Sequence, residues 1–483
     1  MTEAPSFAQV FKDHAEERGD RPAITFEGST LTFSELDDRA NHMAHRFLEL
    51  GATLDSFVTI ASPNSFEFYV ACLACWKIGA TPQPVSSRLP DAELNAIVEL
   101  ADSAVVVGVD HSTRPTIDHG AEIAQNAATL PDVKASAWKA PTSGGSTGLP
   151  KLIVSGDGSE YTESLAGLGA TIGAAPGDTM IMPGPLYHNG PFIWSWLTLL
   201  AGGHIALLRR FDAEMTLEAI QQHRAPAIYL VPTMMQRMWK LPDDIKFSYD
   251  VSSLRVAFHL AEPCPKWLKE AWIDWIGPES LWELYGGTEG QCFTVIRGDQ
   301  WRERPGSVGQ PISGELKICD DDGAVLGPGE IGEVWMRWTG RDTPTYRYIG
   351  AETERRDGWE CLGDIGSLDE DGFLYLNDRR SDMILVGGAN VFPAEVEAAI
   401  NLYPGVASSA VIGLPNEDKG NQVHAIIEPA DTSAPPSLDE LVTHLAQHLV
   451  NYKLPRTIEF IAEPLRDDAG KVRRSQLRAE RLP

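Results

Sequence analysis

Between Phe57 and Val231, short apolar and β-branched runs recur with helical patterns among them, and this alternation constrains the fold more than any other feature. The runs are Phe57–Ile60, Ala104–Val109, Thr179–Met182, Ile205–Leu208 and Ala227–Val231. Met215–His223 and Lys266–Trp275 carry helical spacing. Near-continuous apolar runs read as strands buried on both faces. Parallel strands need crossover connections, usually helical. The chain is therefore expected to be α/β, layered, with largely parallel sheets. No internal repeat is visible.

Local signals sharpen this reading. Thr32 and Glu35 have the spacing of a capping box, and Leu36, Ala40, Met43, Ala44, Phe47 and Leu48 then line one helical face. Gly51 follows as a C-terminal cap. From about Gly306 turns become dense and strands short, with Gly327-Pro328-Gly329 as one turn and Asp369 to Gly372 as another before a strand at Phe373–Leu376. The charged stretch Asp378 to Asp382 reads as a linker. The segment beyond it reads as a separate small α+β unit, with a helix at Ala394–Ile400 and an apolar run at Ser408–Ile412.

A chain of 483 residues exceeds one ordinary core. Its net charge of -28 repels nucleic acid and anionic lipid, so positive groups must gather locally wherever a phosphate is held. The N-terminus lacks a basic, apolar leader, and no apolar run is long enough to span a bilayer. Six cysteines do not make a disulfide framework, and Cys72 and Cys75 read as small core residues of an apolar helix. A cytoplasmic location is the expectation.

Five motifs carry the chemistry. Thr142 to Lys151 reads TSGGSTGLPK, in which Gly144, Gly145 and Gly148 let backbone N–H groups approach phosphate oxygens. Ser143, Ser146 and Thr147 add hydroxyls, and Lys151 adds charge. It is not a Walker loop, because the lysine does not follow a glycine. Tyr285-Gly286-Gly287-Thr288-Glu289 sets an aromatic ring beside glycines and a carboxylate suited to Mg²⁺. Gly363-Asp364 offers a carboxylate for ribose hydroxyls. Asp378-Arg379 is followed by Ser381 and by Gly387-Gly388-Ala389-Asn390. Gly470-Lys471 lies near the end of the sequence.

Together and in this order, these motifs resemble the adenylate-forming superfamily of acyl-CoA ligases, peptide-synthetase adenylation domains and luciferases. The resemblance covers nearly the whole chain and implies a large domain over 1–380 and a small rotating domain over 381–483. It implies nucleotide binding by Ser143 to Gly148, Lys151, Ala261, Glu262, Pro263, Tyr285, Gly286, Gly287, Asp364 and Arg379. Glu289 would hold Mg²⁺, and Lys471, Thr288, Glu289 and His188 would form the catalytic set. His188, Asn189, Gly190, Trp194 and Gly286 would line the acid pocket. Ser381 falls at the pivot, and Gly387, Gly388, Ala389 and Asn390 fall at the coenzyme A tunnel. The implied cofactors are ATP or an acyl-AMP, Mg²⁺ and coenzyme A, the partners are a small carboxylic acid and coenzyme A, and a homodimer is compatible.

No acidic residue stands in Pro185 to Phe192, which argues against an amino-acid substrate. Phe192 to Trp196 points to a bulky apolar acid, although its two tryptophans are equally suited to core packing. The resemblance also has a departure. Ala261-Glu262-Pro263 stands where relatives carry Gly-Ala-Pro. A carboxylate turned inward there would oppose ATP more than a singly charged acyl-adenylate; one turned to solvent or paired with a cation would do neither. Three functions follow: an acyl-CoA ligase forming its own acyl-AMP, a variant that only transfers a preformed acyl-adenylate to coenzyme A, and a catalytically dead sensor. Intact phosphate-loop and Lys471 motifs argue against the last, and the direction of Glu262 separates the first two. Arg473, Arg474 and Arg478 are candidate cations for coenzyme A phosphates.

Overall fold

The computed structural model describes residues 4–118, 128, 130–144, 150–353, 355–387, 389–416, 419–467 and 470–482. At its centre lie five parallel strands, β1 (Thr179–Met182), β2 (His204–Leu207), β3 (Ala227–Leu230), β4 (Val256–His259) and β5 (Leu281–Tyr285). Their spatial order is β2-β1-β3-β4-β5. The chain thus leaves β1 toward one side for β2 and resumes on the other side at β3. Every residue of β2 and β3 is buried, as a sheet covered on both faces requires. Helices α1 (Asn189–Leu200) and α2 (Pro232–Trp239) follow β1 and β3.

A second parallel sheet joins Thr81–Pro84, Phe57–Ile60, Val105–Val107 and Thr116–Ile117. Its first strand, Thr-Pro-Gln-Pro, gave no sequence signal; two prolines are tolerated because the strand lies at the sheet edge. Helix Phe33–Glu49 has the expected capping box, with Thr32 and Glu35 bonded reciprocally. Cys72 and Cys75 are buried in helix Phe66–Lys77, packed as core.

Beyond β5 the central sheet continues antiparallel through Phe293–Arg297, Ser307–Ser313, Leu374–Arg379, Trp359–Leu368, Gly332–Arg337 and Glu315–Cys319. Here the reading of Asp378-Arg379 as linker is corrected. Both residues end strand Leu374–Arg379, because Asp378 pairs with Ile365 and Arg379 with Asp364 across the ladder. The C-terminal part forms its own sheet from Ile384–Val386, Ala389–Val391, Val406–Asn416, Gly420–Pro429 and Thr457–Phe460, with α3 (Pro393–Asn401) and helix Leu438–His448 packed on it. Its apolar core, including Val396, Ile400, Val411, Ile427 and Leu441, is separate from the main one. Among the described residues, no helix is long and apolar enough to cross a membrane.

Candidate active site

In open α/β sheets, ligands collect outside the carboxyl ends of the strands where strand order reverses. That reversal lies between β1 and β3 here. The segment after β1 carries His188 to Trp194, the segment after β3 carries Thr233, the segment after β4 carries Ala261 to Pro263, and the segment after β5 carries Gly286 to Glu289.

His188 caps α1. Its Nε2 is buried without a hydrogen-bond partner, and burial, aided by the charge of Lys471, lowers its pKa to about 3. The imidazole is therefore neutral at pH 7. The Asn189 Oδ1 and Trp194 Nε1 atoms are also buried without partners. Gly190 lies against Tyr229 at the end of β3; a Cβ there would come within 2.7 Å of the Tyr229 hydroxyl. Trp194 packs edge-on against Tyr229 and Phe258, whereas Trp196 packs on Trp76 and Tyr69 inside the core. Of the two tryptophans, only Trp194 is next to Gly190's neighbour Tyr229.

The phosphate-loop flanks form a hairpin in which Ser143 pairs with Lys151 and Gly144 with Pro150. Gly145, Ser146, Thr147 and Gly148 lie outside the described residues. The Lys151 ammonium stands 3.8 Å from the Tyr348 ring centre, and the Tyr348 hydroxyl donates to Glu289 Oε1 at 2.6 Å. Glu289 is buried. Its charge is felt by Lys139, Lys151, Arg379 and Lys471, so four cations lie within electrostatic reach of one carboxylate. In a chain this acidic, such a gathering suits a polyphosphate. Lys139 is buried, and desolvation lowers its pKa to about 8 against the pull of Glu289 and Asp157. Among the described residues, no cluster of three or more His, Cys, Asp or Glu could hold a metal. Glu289 offers one carboxylate that could share Mg²⁺ with phosphate oxygens, which is usual for this ion.

Tyr285, Asp364 and Arg379 form a second unit. The Tyr285 hydroxyl donates to Asp364 Oδ2 at 2.7 Å, and Arg379 Nε lies 3.3 Å from Oδ1. Burial, with Asp364 beside it, pushes the Tyr285 pKa up. Gly286 and Gly287 leave no room for side chains: a Cβ would lie 2.4 Å from the Phe293 ring and 2.5 Å from Leu362 respectively. Thr288 sits half-buried between them and Glu289.

Glu262 points inward. Its Oε2 accepts from the Thr233 backbone N–H at 3.1 Å and hydroxyl at 2.8 Å, at the N-terminus of α2. Its Oε1 lies 3.8 Å from Arg466 of the small domain. Burial raises its pKa, opposed by Arg466 and the Thr233 bonds. Ala261 holds φ +74, a left-handed conformation that penalises its methyl, and Pro263 is exposed. Lys471 remains accessible to solvent, yet protein crowds its amine. That crowding lowers its pKa; Asp467, Glu289 and Glu262 act against it and Arg379 with it.

Other expected residues lie apart. Ser381 is exposed and contacts Asp382. Gly387, Ala389 and Asn390 belong to a hairpin beside Lys419, where Gly387 N–H bonds the Lys419 carbonyl; Gly388 lies outside the described residues. Arg474 is bound to Asp382 and Glu397, and Arg473 pairs with Glu93, so neither is a free cation in this arrangement.

The AMP-binding enzyme family model matches residues 11–340, and the model of the AMP-binding enzyme C-terminal domain matches residues 395–471. The chain belongs to this family. It is similar to a fatty acid–[acyl-carrier-protein] ligase of Streptomyces coeruleorubidus, 28% identical over 98% of this chain and 96% of that one. It also resembles a 7a-methyl-1,5-dioxo-octahydroindenyl-propanoyl:CoA ligase of Rhodococcus jostii, 29% identical over 100% of both. Among solved structures, the o-succinylbenzoate CoA synthetase of Bacillus subtilis with its acyl-adenylate superposes with a TM-score of 0.82, at 26% identity, over 99% of this chain and 98% of that one. The chain is thus an AMP-forming acid–thiol ligase of the adenylate-forming superfamily.

Sequence reasoning missed five residues that adjoin the candidate site of this AMP-binding enzyme: Lys139, Tyr229, Thr233, Tyr348 and Arg466. Only Lys139 left a trace, as a lone charge in Ala137-Trp138-Lys139-Ala140.

Proposed function

We propose that the enzyme joins a bulky, mainly apolar carboxylic acid to coenzyme A. In the first step a carboxylate oxygen attacks the α-phosphorus of ATP and pyrophosphate leaves. In the second the coenzyme A thiol attacks the acyl carbon, AMP leaves and the thiol proton is released. The observation that carries the reading is that Lys471, from the small domain, lies within electrostatic reach of His188, Glu262, Glu289 and Arg379 of the large one. A cation brought between carboxylate and α-phosphate offsets charge on both and aligns the attack.

In this reading Tyr285 stacks on adenine, Asp364 and Arg379 hold the ribose, and Lys139 and Lys151 face the polyphosphate. Glu289 anchors Mg²⁺. His188, Asn189, Gly190 and Trp194 bound the acid, together with Tyr229. The small domain, from Ser381 onward, turns between steps and brings Gly387 to Asn390 to the pantetheine arm. A concavity of about 280 Å³ near that hairpin, lined by Lys419, Arg456 and Tyr452 among others, is of a suitable character for the coenzyme A nucleotide. A ring-bearing acid is supported by the Rhodococcus relative and by the aromatic wall. Six free cysteines fit a reducing cytoplasm.

The test is pyrophosphate release with Mg-ATP across fatty, arylpropenoic and fused-ring acids, followed by thioester detection with coenzyme A. Release with a large apolar acid and a coenzyme A thioester is expected. Release only with small polar acids, or thioester formation only from added acyl-adenylate, would overturn the corresponding half of the reading.

A further inference from the structure

We infer that Glu262 is a positioning residue for the adenylation step, the seat on which the small domain sets the loop that carries Lys471. The inference rests on the ligase reading above and adds a role for a residue whose charge otherwise has no task there.

Two oxygens of one carboxylate do different work. Oε2 is pinned from within the large domain by the Thr233 N–H and hydroxyl. Oε1 has no hydrogen-bond partner and faces the small domain. There it meets Arg466 at 3.8 Å and the backbone of Gly470, where a Cβ would fall 1.7 Å from Oε1. Glycine at 470 is favoured by its φ of +81, and a Cβ there would push the Glu262 carboxylate aside.

Arg466 ties this contact to the catalytic lysine. Its Nη1 donates to the Gly470 carbonyl at 2.8 Å, and its other nitrogens bond Ser408 Oγ, the Ser409 carbonyl and Glu397. Asp467 closes the turn, accepting from the Lys471 N–H at 2.9 Å while its own N–H bonds the Lys471 carbonyl. Docking Arg466 and Gly470 on Glu262 therefore places Lys471. The contact is also made to be broken. A bidentate pair would hold the domains closed, whereas a single 3.8 Å approach supplies direction without a strong bond. When the small domain leaves, the Thr233 bonds keep Glu262 aimed for its return.

The experiment reads domain orientation, so it needs no knowledge of the acid. Nitroxide labels on unnatural residues at exposed Asp244 and Thr432 report the interdomain distance, with and without Mg-ATP. The wild type should show a main closed population. Glu262→Gln, which keeps an acceptor for Thr233, and Glu262→Ala should both reduce it several-fold, and Arg466→Met likewise. The double variant Glu262→Ala/Arg466→Met should be no more open than either single one. Circular dichroism establishes that each variant is folded, and the glutamine variant covers the case in which alanine unfolds. An unchanged distance distribution, a more closed one, or additive effects would each overturn the inference, as would a wild type that is mainly open. None of these outcomes bears on whether the enzyme is a ligase.

Discussion

Replacing Lys139 by methionine should make the empty protein more stable and its nucleotide binding worse. The ammonium is buried before the phosphate-loop hairpin, 5.3 Å from the Trp138 ring centre. Burial lowers its pKa from 10.5 to about 8, against the pull of Glu289 and Asp157. At about 1.36 kcal/mol per unit, this is a destabilisation of roughly 3 kcal/mol. The folded state binds the proton more weakly than the unfolded chain does. The cost is therefore fully present below about pH 8 and disappears as pH rises from there toward 10.5. Tryptophan-monitored unfolding should show Lys139→Met ahead of the wild type by a few degrees in Tm at pH 7, with the gap closing in alkali. Calorimetry with Mg-ATP should show affinity falling about tenfold or more, as expected when one close charge partner of a phosphate is removed. A variant less stable at pH 7, or a gap independent of pH, would refute the desolvation argument; unchanged Mg-ATP affinity would refute the assignment to phosphate.

Further outcomes can be stated briefly. Ala261→Gly, which frees a residue held at φ +74, should stabilise the protein by about 1 kcal/mol in denaturant unfolding, with no loss of Mg-ATP affinity. Gly190→Val should crowd Tyr229 and abolish pyrophosphate release with the largest accepted acids while sparing smaller ones. Lys471→Met should cut acid-dependent pyrophosphate release by about a hundredfold or more, yet leave thioester formation from a supplied acyl-adenylate near wild type. His188 is neutral above about pH 4, so Mg-ATP binding should show no inflection from it between pH 5 and 8, and His188→Asn should leave that profile's shape unchanged.

What could be read in the sequence depended on the range of the cause. Thr32 and Glu35 are three positions apart, and the capping box was legible because it is local. Strands Phe57–Ile60 and Thr179–Met182 fall where their apolar runs place them. The proline-rich strand Thr81–Pro84 was not legible, since only its place at a sheet edge excuses its missing donors. The same holds for the site. Glycine-rich motifs announce themselves, but Tyr348 matters only because its strand pairs beside the phosphate-loop hairpin and brings its hydroxyl to Glu289. The direction of Glu262 was open in the sequence because Thr233 and Arg466, which settle it, lie far away on either side along the chain.

The reversal of strand order between β1 and β3 has a consequence for how such an enzyme changes over time. The proposed acid wall begins after β1, while the charged groups near Glu289 begin after β5 and at the phosphate-loop hairpin. Each wall hangs from its own strand, and the strands themselves are locked in a common core. On the proposed assignment of the acid pocket, a lineage can therefore trade one acid for another by rewriting the stretch from His188 to Trp194, leaving the energy-supplying half untouched. Position 262 is the exception, because it stands where both halves and the small domain meet, and a change there is felt by all three.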